Sequence, residues 1–223
     1  MICLRDNEFY ESSFDGLYAT GFTGFLKGIV HKLMEFPFRN SRAKKILEVG
    51  AGSGIHLKYV NEMFDKYYMT DIVIEKDLKF TKSPEKFVIM EQDAQNLDFE
   101  NDNFDRVIAT CLIAHLDNPI RALGEWRRVT RDKGNITIYI PCEPGLLLRL
   151  FRFVFILPKS LLRGISEFNS LIVLEHRNSY LLVKHSIKKE FNGDEVRLRR
   201  YPFPFLSWNF NIFAIASIKV SKG

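Results

Sequence analysis

The segment Glu48-Val49-Gly50-Ala51-Gly52-Ser53-Gly54 combines a carboxylate with three glycines at alternate positions, a spacing that can hold a polar ligand against bare backbone. Glycine tolerates positive φ and places no Cβ between the main chain and a ligand, so this run makes a turn that a nucleotide-like molecule can approach closely. The apolar stretch before it reads as a strand. After it, His56, Tyr59, Val60, Met63 and Phe64 recur at helical spacing, so a helix is expected over about 53–64. Unpaired N–H groups at such a helix start favour a polar or anionic group. A dinucleotide fingerprint needs G-x-G-x-x-G, and Ile55 stands where its third glycine belongs. Glu48 would repel a pyrophosphate but suits a cation. Nicotinamide chemistry is therefore disfavoured.

The elements that must position this loop follow from pattern. Residues 1–44 are aromatic-rich and read as a helical cap. Within it a helix is expected around 24–35, with Phe25, Ile29 and Leu33 as its core-facing stripe and Pro37 closing it. Strands are expected at 67–70 (ending in Asp71), at 87–90 (ending in Glu91) and at 104–109. A helix then starts from an Asn118 N-cap with Pro119 first, ends at Lys133-Gly134, and leads to a fifth strand over 135–140. Such alternation implies right-handed βαβ units and a parallel sheet. The pattern breaks past Pro141. Residues 143–175 read as a lid-like insertion whose apolar stretch 146–157 is stopped by Pro158. A helix over 178–190 and strands over 195–201 and 210–220 complete the chain. The link between the last two strands is too short for a helical crossover, so they should be antiparallel.

Composition bounds the rest. A chain of 223 residues, 46% hydrophobic and with a net charge of +5, suits a single domain over 1–223. Cys3, Cys111 and Cys142 have no metal-type spacing, so no metal is expected, and they fit thiols in a reducing compartment. Charge comes too early for a signal peptide, and no apolar run reaches the ~18 residues of a spanning helix, so a soluble cytoplasmic protein is expected.

Together these motifs resemble class I S-adenosylmethionine-dependent methyltransferases, in the branch that includes ubiquinone/menaquinone-type and many small-molecule enzymes. The resemblance covers about 44–141. It implies an α/β, Rossmann-like three-layer sandwich with a seven-stranded, mostly parallel sheet whose last strand is antiparallel. It also implies S-adenosyl-L-methionine as cofactor and S-adenosyl-L-homocysteine as product. By resemblance, Glu48, Gly50, Ala51, Gly52 and Gly54 form the cofactor loop, and Asp71-Ile72 hold the ribose hydroxyls. Asp93, through its carboxylate, and Ala94, through its backbone, read the adenine. Thr110 and Cys111, closing the fourth strand, lie beside the cofactor. His115, just past that strand, is the candidate general base or, equally, a packing histidine.

The acceptor pocket is expected above the ends of the fourth and fifth strands, with Tyr18, His31, Glu143 and His176 as candidate pocket residues. The implied reaction is O- or N-methylation of a small-molecule acceptor such as a sugar, lipid-linked or secondary-metabolite precursor. The alternative is a non-catalytic module of the same fold that binds the cofactor or a partner protein. Enzymes acting on base amines resemble one another in an Asn/Asp-Pro-Pro-aromatic turn, and Thr110-Cys111-Leu112-Ile113 here disfavours nucleic acid. Residues 146–157, apolar but carrying Arg149 and Arg152, suit a lipid or membrane surface, a pocket lid or the interface of a homodimer.

Overall fold

The computed structural model describes residues 21–73, 84–162 and 176–222. Seven strands form one sheet in the order β3-β2-β1-β4-β5-β7-β6. These are β1 (Arg42–Val49), β2 (Met63–Asp71), β3 (Phe87–Glu91), β4 (Phe104–Ala109), β5 (Thr130–Pro141), β6 (Glu195–Tyr201) and β7 (Phe213–Lys219). β7 runs antiparallel to both β5 and β6, and the other neighbouring pairs are parallel. The Rossmann-like, seven-stranded architecture with an antiparallel last strand is therefore the one expected.

The sheet is covered on both faces. On one, α2 (Pro119–Val129) and α5 (Tyr180–Glu190) bury Leu123, Trp126, Val183 and Ile187 against Leu47, Val107 and Ile138. On the other, α1 (Gly21–Glu35) places Met34 over Ile46, Tyr67 and Ile108. Period-two alternation sends Leu47 and Val49 to the first face and Ile46 to the second. β4, between β1 and β5, is buried at every position, so its charged pair Asp105-Arg106 must find partners inside the protein.

Four expectations need correction. The helix over 53–64 does not form: only a 3-10 turn, Ile55–Tyr59, follows the glycine loop, and Met63 and Phe64 already belong to β2. Val60 is extended, and alternate burial of Tyr67 and Met69 marks the strand period that competes with the helical one. Of the Phe25, Ile29 and Leu33 stripe of α1, Leu33 packs partly buried against the core, but Phe25 does not face it. Phe25 is 64% exposed, and the helix buries Thr23, Gly28, His31, Met34 and Glu35 instead. Lys133-Gly134 does not end the fourth-strand helix: α2 stops at Val129 and β5 begins at Thr130. Pro158 does not stop the insertion helix. α3 (Leu146–Phe151) passes through a π turn (Arg152–Ile156) into α4 (Leu157–Leu162), and Pro158 lies within this helical run, just past the π turn.

α1 docks through charge. The two Glu35 carboxylate oxygens accept from Arg106 Nη1 and Nη2 at 3.0 and 2.7 Å, and Glu62 Oε2 accepts from Nη1 at 3.3 Å. The Arg106 guanidinium lies 3.6 Å from the centre of the Phe38 ring. Burial alone would raise the Glu35 pKa, but a hydrogen bond from His56 and the Arg106 charge outweigh it and hold the carboxyl down to about 2. A folded-state value below the ordinary 4.5 means stability that is present above that pH and lost as pH falls toward 2. Urea titrations should therefore show stability falling across that window, and Glu35→Gln should flatten this part of the curve. Glu35→Ala, which strands Arg106 in the interior, should cost about 3–5 kcal/mol at neutral pH.

Candidate active site

The glycine loop leaves β1 and turns back under the end of β2. Gly50, Gly52 and Gly54 have φ of 64, 50 and 67°. The Ala51 N–H donates to the Thr70 carbonyl at 3.0 Å, and the Gly52 N–H donates to Asp71 Oδ2 at 2.8 Å. Asp71 Oδ1 accepts from the Ile72 N–H at 2.7 Å. Asp71 therefore braces the loop from the next strand, while Ile72 itself is exposed. A Cβ on Gly50 would lie 2.8 Å from the Leu112 side chain, whereas one on Gly52 would meet no atom within 4 Å. The loop is thus packed at its first glycine and open at its second.

Glu48 lies in the layer beneath α1, fully buried. Its Oε2 accepts from the Tyr67 hydroxyl at 2.9 Å, and its Oε1 has no partner. Burial pushes its pKa up despite His56 and that hydrogen bond. Past β3, Asp93 is exposed and its Oδ1 accepts from the Gln95 N–H at 2.9 Å. Ala94 is buried, and its carbonyl accepts from Trp126 Nε1 at 3.0 Å, which ties this segment to α2. Gln95 Oε1 in turn accepts from the Asn118 N–H at the start of α2.

Beside the loop lies a cavity of about 210 Å³ at the carboxyl ends of β4 and β5. Thr110, Cys111 and His115 line it after β4, and Tyr139 and Pro141 line it at the end of β5. Leu148, Phe151 and Arg152 of the insertion form another wall, and Lys27, Val30 and His31 of α1 close it. The exit turn of β4 joins the two sites. Cys111 adopts a φ of 52°, and the neighbouring Leu112 packs on Gly50. The structure brings His31, Thr110, Cys111, His115 and His176 to one cavity. Glu143 stands behind the wall: Arg152 Nη1 donates to its Oε2 at 2.6 Å, and His176 Nδ1 lies 3.2 Å from the same atom. The His115 and His176 rings meet edge-on at 4.8 Å between centroids. Burial holds the His176 pKa down against the pull of the Glu143 carboxylate. Tyr18 lies outside the described residues.

Sequence reasoning missed Arg152 as a wall residue and His56, Glu35 and Arg106 as its polar neighbours. His56 reads as an ordinary helix residue in the sequence, yet it is fully buried, with Nε2 2.9 Å from Glu35 Oε1 and Nδ1 2.7 Å from His31 Nδ1. The usable signal was Arg106 itself, a cation inside an apolar central strand, which requires a buried carboxylate.

This fold is the Rossmann-like methyltransferase fold, and the loop-and-cavity arrangement lies at the strand ends where that architecture binds ligands. Residues 47–138 match the family model described as a methyltransferase domain. The chain is 31% identical over 105 residues to a phosphatidylethanolamine N-methyltransferase of Cereibacter sphaeroides, a match covering 44% of this chain and 51% of that one. It is 29% identical over 116 residues to 2-methyl-6-phytyl-1,4-hydroquinone methyltransferase 2, chloroplastic, of Oryza sativa subsp. japonica, covering 50% of this chain and 33% of the relative. The matches thus span half of the first relative and a third of the second. Among solved structures, the CurJ carbon methyltransferase superposes with a TM-score of 0.62 at 15% identity, covering 96% of this chain and 61% of that one.

The two glycines should respond differently to substitution. Gly50→Ala and Gly52→Ala each carry the ~1–2 kcal/mol strain of positive φ, and Gly50→Ala adds the Leu112 clash. Thermal denaturation should therefore rank Gly50→Ala as the less stable.

Proposed function

We propose that this chain transfers a methyl group from S-adenosyl-L-methionine, bound on the glycine loop, to a small molecule seated in the adjoining cavity. The observation that carries this reading is the junction at Leu112, which packs on Gly50 while the flanking Thr110 and Cys111 wall the cavity. Donor and acceptor sites thus share one turn. In this reading Asp71, at the end of β2, holds the ribose hydroxyls, and Asp93 with Ala94, past β3, holds the adenine. The sulfonium is already an activated electrophile, so the protein's work is to align acceptor, methyl and sulfur and to exclude water. Burial by α1 and the insertion serves the second need.

The acceptor in this reading has an apolar body, because Val30, Leu148, Phe151 and Phe213 line the cavity. Two named relatives act on a phospholipid and on a phytyl hydroquinone, which supports an amphiphilic substrate. The insertion carries an apolar outer side as well: Leu146, Leu150 and Phe153 are 60, 55 and 66% exposed, next to an exposed Arg149. This side would rest on a lipid surface from which the substrate is drawn. Arg152, in contrast, is turned inward. Among the described residues no helix is long and apolar enough to cross a membrane.

Calorimetry with S-adenosylmethionine and S-adenosylhomocysteine tests the donor site. Both should bind, and Asp71→Ala should weaken them about tenfold or more, the scale of a charge-assisted hydrogen bond. Absence of binding by either would sink the proposal. His115→Ala tests the base: a fall in turnover at saturating acceptor, with donor affinity unchanged, is expected if His115 takes the acceptor's proton.

A further inference from the structure

The connection between β6 and β7 is tied down through its backbone and apolar on its outside. Asn211, fully buried, clamps it: the Phe203 N–H donates to Asn211 Oδ1 at 2.8 Å, and Asn211 Nδ2 donates to the Phe203 and Ser207 carbonyls at 2.9 Å each. Arg200 Nη2 donates to the Pro204 carbonyl at 2.9 Å. On this frame Phe203, Leu206 and Phe210 are exposed, and Phe205 is 80% exposed. Apolar side chains held out in water by a fixed frame mark an interaction surface. A loop already fixed in place also gives up little conformational freedom on binding.

The insertion adjoins this connection. α3 packs against the turn Trp208–Phe210, and the Trp208 carbonyl lies 3.2 Å from the position a Cβ on Gly145 would take. Exposed Leu146 and Leu150 thus belong to a helix that touches the turn carrying exposed Phe210. The same two elements wall the cavity on their other side, through Leu148 of α3 and through Ile212 and Phe213 after the turn. Charge here is one-sided. Residues 144–162 and 196–218 hold three basic residues each and no aspartate or glutamate. The acids that border them, Glu143 and Glu195, are paired with Arg152 and Arg197 at 2.6 and 2.7 Å. Arg149 and Arg199 are exposed. Cations beside an exposed apolar surface complement anionic headgroups over a hydrocarbon layer. A second copy of the chain, met across a two-fold axis, would instead set these cations against one another.

We propose that α3 and the β6–β7 connection together dock the chain on an anionic lipid surface. Leu146, Leu150, Phe205 and Phe210 enter its apolar layer, and Arg149 and Arg199 meet its headgroups. This rests on the lipid-facing reading of the insertion and goes beyond it in two ways: the β6–β7 connection becomes a second limb of the contact, and the headgroup charge is specified. It gives the buried Asn211 a part in presenting Phe203 and Phe205 rather than in the cavity. It also sets the cavity directly behind the docked surface, walled by the same two elements.

The test is co-sedimentation of the full chain with vesicles of phosphatidylcholine alone and of phosphatidylcholine mixed with phosphatidylglycerol. The mixed vesicles should bind at least about tenfold more tightly, and added salt should weaken that binding. Phe205→Ser and Leu150→Ser, both at exposed positions, should each lose about tenfold in affinity, the scale of one large apolar side chain leaving the lipid. Arg149→Gln should lose about fivefold, and on the mixed vesicles only. Phe205→Trp gives a reading without loss of apolar surface: its fluorescence should shift to the blue on the mixed vesicles and be quenched by brominated lipid chains. No binding to the mixed vesicles, equal binding to both kinds, or a Phe205→Ser variant that binds as tightly as the wild type would overturn the inference. So would a dimer, seen by sedimentation velocity without lipid, that Phe205→Ser dissociates, since a second copy would then be the occupant. Calorimetry with S-adenosylhomocysteine separates the two readings. Vesicle binding without cofactor binding would retain the docking surface and remove methyl transfer, and the converse would remove the docking surface alone.

Discussion

The ion pair between Arg106 and Glu35 is the interaction on which the arrangement depends. It joins a cation in the central strand β4 to the last residue of α1, and so fixes the cap helix over one face of the sheet. From Glu35 the contacts run through His56, on the turn that follows the glycine loop, to His31 in the cavity wall. One buried charge thus positions the cap, the turn beneath the loop and one wall of the cavity. A charge cluster in this place stabilises little compared with an apolar core of equal volume, and its value lies in allowing one arrangement of partners.

Much of the fold was legible because local signals and tertiary demands agreed. The glycine spacing, the acid closing β2, and the Asn118-Pro119 cap each have a purely local mechanism, and each appears in place. The glycine loop and the strand-end acids were legible for the same reason, since they are strand ends and turns. Helical periodicity misled where a long-range contact outweighed it. In α1 the Phe25, Ile29 and Leu33 stripe fits a helix core, but the helix turns its Glu35 and His31 side inward to meet Arg106 and His56. Over 53–64 the helical spacing runs on through Met63 and Phe64, which pair with Arg42 and Ala43 of β1 and begin β2 instead.

The acceptor side was less legible. Its walls come from α1, the turn after β4, the end of β5 and the insertion, so no short stretch of sequence spells it out. Arg152 shows why. By composition it resembles Arg149, an arginine in an apolar helix, yet a π turn begins at Arg152 and its side chain is buried with Glu143 and His176. Pro158, which reads as a stop, sits just beyond that same turn.

Leu112 against Gly50 has a mechanical meaning. With the leucine methyls already at contact distance from the position a Cβ would take, the loop and the exit turn of β4 behave as gear teeth in mesh. A shift of the loop at Gly50 toward β4 would press on Leu112, next in the chain to Thr110 and Cys111 in the floor of the cavity. In the proposed methyl-transfer reading, the acceptor's affinity would then depend on whether the donor site is filled and, by reciprocity, the donor's on the acceptor. Such a protein would read the pair of its ligands as a unit rather than each in turn.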